Sequence, residues 1–183
     1  MAEYSMETPL SKEDVEKLKA GDRVSLSGTI YTARDSAHER LVKLIEDGKD
    51  LPIPLEGQII YYVGPAPTPP GRAIGSAGPT TSYRMDPYAP LLIEHGLAGM
   101  IGKGERSEPV VEAMKKHSAV YFAATGGAAA LIAGSITSSE VVAYEDLGAE
   151  AIRKLEVKDF PVIVAQDCNG GNVYVEGQKK YAE

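Results

Sequence analysis

Hydrophobic and polar positions follow one another along this chain in patterns that predict strands and helices in turn. Residues 23–31, RVSLSGTIY, alternate polar with apolar side chains, which is typical of a half-buried strand. Residues 33–48, ARDSAHERLVKLIEDG, repeat apolar side chains at helical spacing and end at Gly48, which predicts an amphipathic helix. Similar patterns predict further strands at GQIIYYVG, LAGMIGKG, AVYFAATGG, EVVAYEDLG, FPVIVAQD and NVYVEG, and helices at PLLIEHG, EPVVEAMKKH and AAALIAG.

The order of these elements indicates the fold class. Strands and helices alternate through the middle of the chain, and strand-only segments are predicted at both ends. This arrangement favours an α/β fold with a mixed sheet. The sequence has no internal repeat and no domain boundary, so residues 1–183 are predicted to form a single domain.

Two serines mark predicted helix starts. Ser11 is followed by an acid at Asp14, the spacing of a capping box, which predicts a helix from about Lys12 to Lys19. Gly21 then ends that helix. Ser107 is expected to cap the helix EPVVEAMKKH in the same way.

Residues 64–90, GPAPTPPGRAIGSAGPTTSYRMDPYAP, are dense in glycine and proline. A flexible linker is one interpretation, although linkers are usually rich in Ser or charge and lack embedded Arg and aromatic residues. A loop of this length inside a compact domain is either functional or disordered. We favour a functional loop.

Composition excludes several classes of function. The formal net charge is −7, and no block of basic residues is interleaved with aromatics, so a nucleic-acid groove is not expected. No apolar run approaches the roughly 20 residues that span a bilayer. The acidic start MAEYSMETPLSKED has no apolar signal core, so the chain is expected to be cytoplasmic.

A single cysteine, Cys168, limits the metal chemistry of the chain. One thiol excludes an internal disulfide and a zinc or iron–sulfur site built from cysteines of this chain alone, so no metal ligands are predicted. The simplest interpretation of Cys168 is a small buried apolar residue. Its segment DCNGG nevertheless predicts a turn near a functional surface.

Four cations lie beside glycines or at the ends of predicted elements: Arg34, Arg72, Arg84 and Lys103. Arg34 directly follows a predicted strand and opens a helix, which places it at the edge where open α/β sheets bind ligands. His38 is one helical turn further on, and hence on the same face. The alternative is a surface ion pair of Arg34 with Asp35 or Glu39.

The segment Gly78–Ser82 supplies hydroxyl and backbone N–H groups beside Arg84, just before a helix predicted to begin near Asp86. A helix start is a natural anion site, and arginine binds carboxylates with two parallel hydrogen bonds. The alternative is an ordinary Ser/Thr helix cap.

Two glycine-rich segments lack nucleotide-binding patterns. Lys103 lies between Gly102 and Gly104 without the spacing of a phosphate-binding loop, but it remains a suitable point charge for a carboxylate. Residues 125–130, TGGAAA, lack the dinucleotide fingerprint and are expected to permit close helix–strand packing.

Five segments taken together resemble the β subunit, or C-terminal domain, of class I fumarases and tartrate dehydratases. In order they are LSGTIYTARDSAHERL, IYYVGPAPTPPG, IGSAGPTTSYRMDPY, GMIGKGERS and YFAATGGAAAL, and the similarity extends over about residues 10–177. The resemblance implies a three-layer β/β/α swivelling-type domain that closes over an α subunit. It also implies that the α subunit holds a 4Fe–4S cluster through three cysteines, and that the two chains form a higher hetero-oligomer.

The resemblance assigns roles to residues of this chain. Arg34, Arg84 and Lys103 match substrate-contacting positions for a C4 dicarboxylate, and Thr81 is a further expected contact. Thr80 matches a proposed base or proton relay, which a hydroxyl performs only if neighbouring cations lower its pKa. The residues expected to take part in catalysis are therefore Thr80, Arg84 and Lys103. Asp35 and His38 are expected to orient Arg34, and Tyr83 replaces the small residue that the family loop often carries.

Three functions follow from these expectations. The first is a hydro-lyase β subunit that, with its α subunit, reversibly hydrates fumarate to (S)-malate. The second is the β subunit of an L-tartrate dehydratase, which forms oxaloacetate, because no residue here separates the two C4 substrates. The third is a non-catalytic module that binds organic anions.

Overall fold

The computed structural model describes residues 1–124 and 129–181. Its strands are β1 (Glu3–Glu7), β2 (Arg23–Thr32), β3 (Ile59–Tyr61), β4 (Gly99–Gly102), β5 (Val120–Ala123), β6 (Ile136–Ala143) and β7 (Ile152–Gln166). Its α-helices are α1 (Lys12–Glu16), α2 (Asp35–Glu46), α3 (Ala89–Glu94), α4 (Glu108–His117), α5 (Ala129–Gly134) and α6 (Val173–Tyr181). Two 3₁₀ helices span Ser82–Met85 and Glu145–Glu150.

All seven strands belong to one mixed sheet in the order β1-β2-β3-β4-β5-β7-β6, and β2 also pairs with β7. Strands β1 to β5 run parallel to their neighbours, whereas β7 is antiparallel to β2, β5 and β6. The predicted α/β fold with a mixed sheet is confirmed. The sequence did not indicate that β2, β3, β4, β5 and β7 form a closed ring.

The closed ring depends on the length of β7. Its 15 residues exceed what one neighbour can pair with, so residues 154–163 pair with β2 while residues 163–166 pair with β5. The partners of this strand in β2 and β5, which close the ring, come from segments more than 30 residues away in the sequence. Local pattern alone therefore could not predict the ring.

The parallel strands β3, β4 and β5 bury both of their faces. Side chains alternate along β3, so that Ile59 and Tyr61 lie in one apolar core while Ile60 and Tyr62 lie in a second. The first core is formed largely by strand residues, and the second lies between the sheet and helices α2, α3 and α4. Burial on both faces explains why these strands are almost continuously apolar in sequence.

The capping box at Ser11 is confirmed. The Asp14 N–H donates to Ser11 Oγ over 3.1 Å, and the Ser11 N–H donates to Asp14 Oδ2 over 3.1 Å. The helix ends at Glu16 rather than at Lys19. Helix α2 lies where it was predicted and buries Ala37 on its apolar face.

The prediction of a last strand at NVYVEG was wrong, because these residues begin helix α6. Asn172 starts the helix: its Oδ1 accepts the Tyr174 N–H over 2.9 Å, and its own N–H donates to Glu176 Oε1 over 3.0 Å. These side-chain bonds replace the strand ladder that the β-branched residues favour. Strand β1 was not predicted. Because helix α1 follows β1 and helix α6 follows β7, neither end of the chain is built from strands alone.

Residues 125–128, where close helix–strand packing was expected, lie outside the described residues. Throughout the described part of the chain, no helix combines the length and the apolar character that crossing a bilayer requires.

Candidate functional site

The carboxyl ends of three parallel strands meet at one edge of the sheet. Thr32 of β2 pairs with Tyr61 of β3, which in turn pairs with Ile101 of β4. Arg34 follows β2 and Lys103 directly follows β4, so both cations leave the sheet at this edge. Their strands β2 and β4 lie in one sheet on either side of β3 and point the same way.

Arg34 precedes α2 with an extended backbone, and its side chain is 21% exposed. Its Nη2 lies 3.4 Å from Glu150 Oε1 and 3.9 Å from Asp35 Oδ2. The guanidinium also packs against Gly64, where an added Cβ would lie 2.7 Å from Arg34 Nη1. A side chain at position 64 would require the Arg34 guanidinium to shift.

Asp35 joins Arg34 to Arg84. Its Oδ1 lies 3.0 Å from Arg84 Nε, and its other oxygen faces Arg34. The ion pair of Arg34 with Asp35, which was the alternative interpretation, therefore exists, but it belongs to a row of alternating charges. The row runs from Glu150 through Arg34 and Asp35 to Arg84.

The threonine-rich loop is hydrogen-bonded to the end of β4. The Ser82 N–H donates to the Lys103 carbonyl over 2.9 Å, and the Lys103 N–H donates to the Thr80 carbonyl over 3.3 Å. The Thr80 N–H donates to the Tyr62 carbonyl over 2.8 Å. Thr80 and Thr81 are thus held beside Lys103.

This arrangement corrects the helix expected near Asp86. A 3₁₀ helix at Ser82–Met85 lies there instead, and α3 begins only at Ala89. The N–H groups of Thr80 and Ser82 are both used by backbone carbonyls, so these two groups are not free to bind an anion. The hydroxyl groups of Thr80 and Thr81 and the side chain of Arg84 remain the polar groups that the loop offers.

Ser82 anchors the threonine-rich loop to Tyr121 of β5. Tyr121 donates its hydroxyl proton to the Gly104 carbonyl over 2.7 Å, so the 2.7 Å contact with Ser82 Oγ is donated by the serine. Burial raises the pKa of Tyr121, which keeps this hydroxyl protonated. A side chain at Gly102 would overlap Ser82 Oγ, so the end of β4 must be glycine for the loop to approach it.

His38 supports Arg34 through the backbone. Its Nδ1 is 2.8 Å from the Arg34 carbonyl, which can only accept, so Nδ1 carries the proton and Nε2 does not. Burial is the main cause that lowers the pKa of His38 to about 4. The ring packs edge-on against Tyr62 with centroids 5.4 Å apart. The structure places Asp35 and His38 beside Arg34, and their orienting role stays a prediction.

The sequence did not indicate the role of Arg106, which is buried. Its Nε donates to Asp86 Oδ1 over 2.7 Å, and its guanidinium lies over the rings of Tyr62 and Tyr121 at 5.2 and 5.0 Å. The charged neighbours of Arg106 in GERS are typical of a surface segment. A buried carboxylate partner 20 residues earlier leaves no local signal.

Asp86 also corrects the cap of α4. The side chain of Ser107 makes no capping hydrogen bond, and Asp86 Oδ2 instead accepts the Ser107 N–H over 2.8 Å. Asp86 therefore ties the end of the threonine loop to the start of α4. Arg72, the fourth candidate cation, is exposed on the long loop, and no described ion pair links it to the charged row.

A cavity of about 580 Å³ opens at the opposite edge of the sheet, before the starts of β3, β4 and β5. Its polar lining includes Glu56, Glu94, His95 and His117. Two acidic side chains there disfavour an anionic ligand. The cations after β2 and β4 are better suited to a carboxylate, so the candidate site is the row from Glu150 to Arg84 together with Lys103, Thr80 and Thr81.

The residues do not fit a metal cluster. Within residues 1–124 and 129–181, no three His, Cys, Asp or Glu side chains are placed to hold a metal ion. Cys168 is buried, and burial raises the pKa of its thiol, which disfavours the thiolate that metals bind. The Asp167 carboxylate organises its turn by accepting the N–H groups of Ala20, Asn169 and Gly171.

Comparisons with known proteins identify the family of this chain. Residues 2–177 match the family model described as Fumarase C-terminus. The class I anaerobic fumarate hydratase of Escherichia coli K12 is 48% identical over 154 residues, which cover 83% of this chain and 28% of that protein. Fumarate hydratase 2 of Leishmania major is 40% identical over 173 residues, which cover 92% of this chain and 30% of that protein.

A shorter relative matches over nearly its whole length. A Methanocaldococcus jannaschii protein assigned as L(+)-tartrate dehydratase subunit beta is 39% identical over 180 residues, which cover 95% of this chain and 92% of that protein. The chain thus spans less than a third of the two fumarate hydratases and most of this subunit.

Proposed function

We infer that this chain, which belongs to the Fumarase C-terminus family, is the β subunit of a hydro-lyase that reversibly hydrates fumarate to (S)-malate. The observation that carries the proposal is the gathering of Arg34, Arg84 and Lys103 at one sheet edge. A C4 dicarboxylate has two negative ends, and cations in a partly desolvated site stabilise such charge.

The remainder of the activity is proposed to reside in an α subunit. About 70% of each of the two fumarate hydratases lies outside the match. We place the counterpart of the α subunit in that remainder. The residues of this chain do not fit a 4Fe–4S cluster, so we assign that cluster to the α subunit, where its open iron would supply Lewis-acid chemistry. We further propose that this chain is a three-layer swivelling domain that closes over the α subunit in a higher hetero-oligomer.

Each residue of this chain has a proposed task. Arg34 and Arg84 hold one substrate carboxylate, and Lys103 adds a positive charge beside them. Arg84 and Lys103 also stabilise the negative charge that develops when the carbon acid loses its proton. Thr80 moves that proton through its hydroxyl, since its backbone N–H and carbonyl are both already hydrogen-bonded.

L-tartrate dehydration is the second candidate, because the relative that this chain covers over 92% of its length has that assignment. Both substrates are C4 dicarboxylates with two carbons between their carboxylates. The cations of this chain bind either one, so the choice between them requires measurement.

Anaerobic co-expression with the cysteine-containing partner tests the proposal. The purified complex is assayed for fumarate hydration and for L-tartrate dehydration, with kcat/KM measured for each. We expect turnover of fumarate to dominate. Preference for L-tartrate would establish the second candidate, and a complex that binds both anions without turnover would overturn hydro-lyase function.

A further inference from the structure

Residues 144–150 form a connection that folds back over α2. Tyr144 has a left-handed backbone (φ 57°), and Gly148 has a positive φ of 60° at a kink inside the segment. Asp146 accepts two hydrogen bonds from Arg40 of α2, at 2.9 and 2.6 Å. The Arg40 guanidinium also lies 4.9 Å from the centroid of the Tyr144 ring. This segment is therefore attached to the helix that Arg34 opens.

The attachment places Glu150 against Arg34. Its Oε1 lies 3.4 Å from Arg34 Nη2, and Asp35 faces the same nitrogen from 3.9 Å. On the Nη1 side the guanidinium packs against Gly64. The guanidinium therefore has two carboxylates on its Nη2 side and Gly64 on its Nη1 side.

We propose that Glu150 is a positioning residue, which orders the Arg34 guanidinium so that it can bind a substrate carboxylate. This inference rests on the proposed function, in which Arg34 contacts the substrate. Arginine carries substantial side-chain entropy, and ordering it before binding removes that loss from the binding step. The position of Glu150 in the sequence, 116 residues after Arg34, gives no sign of this task.

A competing counter-ion is the other task that Glu150 could have, and the fold argues against it. A counter-ion that substrate displaces must be able to move away. Glu150 instead lies directly before the buried residues Ala151 and Ile152, at the end of a segment held by Arg40 and Asp146. A carboxylate fixed in this way orients its partner and stays in place.

The test uses the complex with its α subunit and measures kcat and KM for fumarate in Glu150→Ala and Glu150→Gln. We expect Glu150→Ala to raise KM by about 10-fold with kcat changed by less than about 2-fold, because binding of the carboxylate is what Arg34 supplies. Gln keeps the size of the side chain but removes its charge, so Glu150→Gln should raise KM less than Glu150→Ala does. Glu145→Ala, an exposed acid of the same segment, is the matched control and should match wild type.

A double mutant separates positioning from a merely structural effect. In an Arg34→Ala background, Glu150→Ala should change KM no further, since Glu150 acts through Arg34. An unchanged or lowered KM in Glu150→Ala would overturn the inference, and so would equal effects in the two backgrounds. If Glu150→Ala does not assemble, Glu150→Gln decides, because a raised KM supports the inference and an unchanged KM overturns it.

Arg34→Ala alone distinguishes this inference from the proposed function. If Arg34→Ala loses most of its kcat/KM while Glu150→Ala has wild-type kinetics, the proposed site stands and only the role of Glu150 is rejected. If Arg34→Ala itself has wild-type kinetics, the proposed site is rejected, and the role of Glu150 is rejected with it.

Discussion

At the scale of single residues, Arg84 combines a fixed position with access to solvent. Its Nε is held by Asp35 Oδ1 at 3.0 Å, while its side chain remains 42% exposed. The adjacent Tyr83 is 65% exposed, so the loop presents both side chains outward. A residue arranged in this way is suited to bind a ligand and contributes little to the core.

We expect Arg84→Ala to lower kcat/KM of the complex by at least ~100-fold, about 2.7 kcal/mol of transition-state stabilisation. The melting temperature should hardly change, because the side chain is not buried. Arg72→Ala is the matched control, since Arg72 is an exposed arginine of the preceding loop. Near-normal turnover of Arg84→Ala would identify Arg84 as a surface residue that pairs with Asp35.

His38 makes stability depend on pH in a defined window. Its pKa is about 4 in the folded chain and 6.5 in the unfolded chain, so between these values the unfolded state binds the additional proton. Stability should therefore be unaffected by this residue above pH 6.5 and fall as the pH decreases towards 4. The total loss is about 3 kcal/mol.

Urea denaturation of wild type and His38→Asn at pH 7.5 and pH 4.5 measures this effect. Asn keeps a donor for the Arg34 carbonyl and does not titrate, so its stability should change less between the two pH values. The Asp14 carboxyl, whose pKa is lowered to about 2 mainly by Lys17, titrates below this window. Equal pH dependence in the two proteins would contradict the neutral, buried state of His38.

At the scale of elements, the end of β4 shows how one glycine joins two segments. Gly102 lies where the threonine loop crosses the strand, and a Cβ there would overlap Ser82 Oγ and lie 3.0 Å from the Tyr62 ring. Both of these neighbours are buried and cannot move aside. The approach of the loop to Lys103 therefore depends on the missing side chain.

We expect Gly102→Ala to destabilise the chain by about 1–3 kcal/mol through overpacking. It should also raise KM, because the ladder that holds Thr80 beside Lys103 would be displaced. Gly104→Ala is the control: its φ is +85° but its surroundings are open, so only a backbone cost of about 1 kcal/mol is expected. Denaturation and kinetics measure the two effects, and a Gly102→Ala protein as stable as Gly104→Ala would contradict the close approach.

At the scale of the whole molecule, we propose that the site at this sheet edge is completed by a second chain. The cations after β2 and β4 supply charge for a carboxylate, whereas the described residues supply no group of metal ligands. We therefore expect the isolated chain, after anaerobic reconstitution with iron and sulfide, to bind no cluster and to show no hydratase activity. Iron and sulfide analysis checks this, and a stoichiometric 4Fe–4S signal on this chain alone would contradict it.

The sequence by itself determined the elements whose signals are local. The capping box at Ser11, the amphipathic face of α2 and the buried parallel strands all follow from spacings of a few residues, and the structure has them. Asn172 shows the limit of such signals, because its side-chain bonds to Tyr174 and Glu176 produce a helix where β-branched residues predict a strand.

Only the tertiary structure decided which distant residues meet. The pairing of β7 with β2 closes the ring, and the same fold brings Glu150 to Arg34 and Asp86 to Arg106 across 116 and 20 residues. Each of these contacts joins charges or backbone groups that become neighbours only once the sheet closes. Sequence spacing carries no information on such partners, because their energy depends on burial and distance in three dimensions.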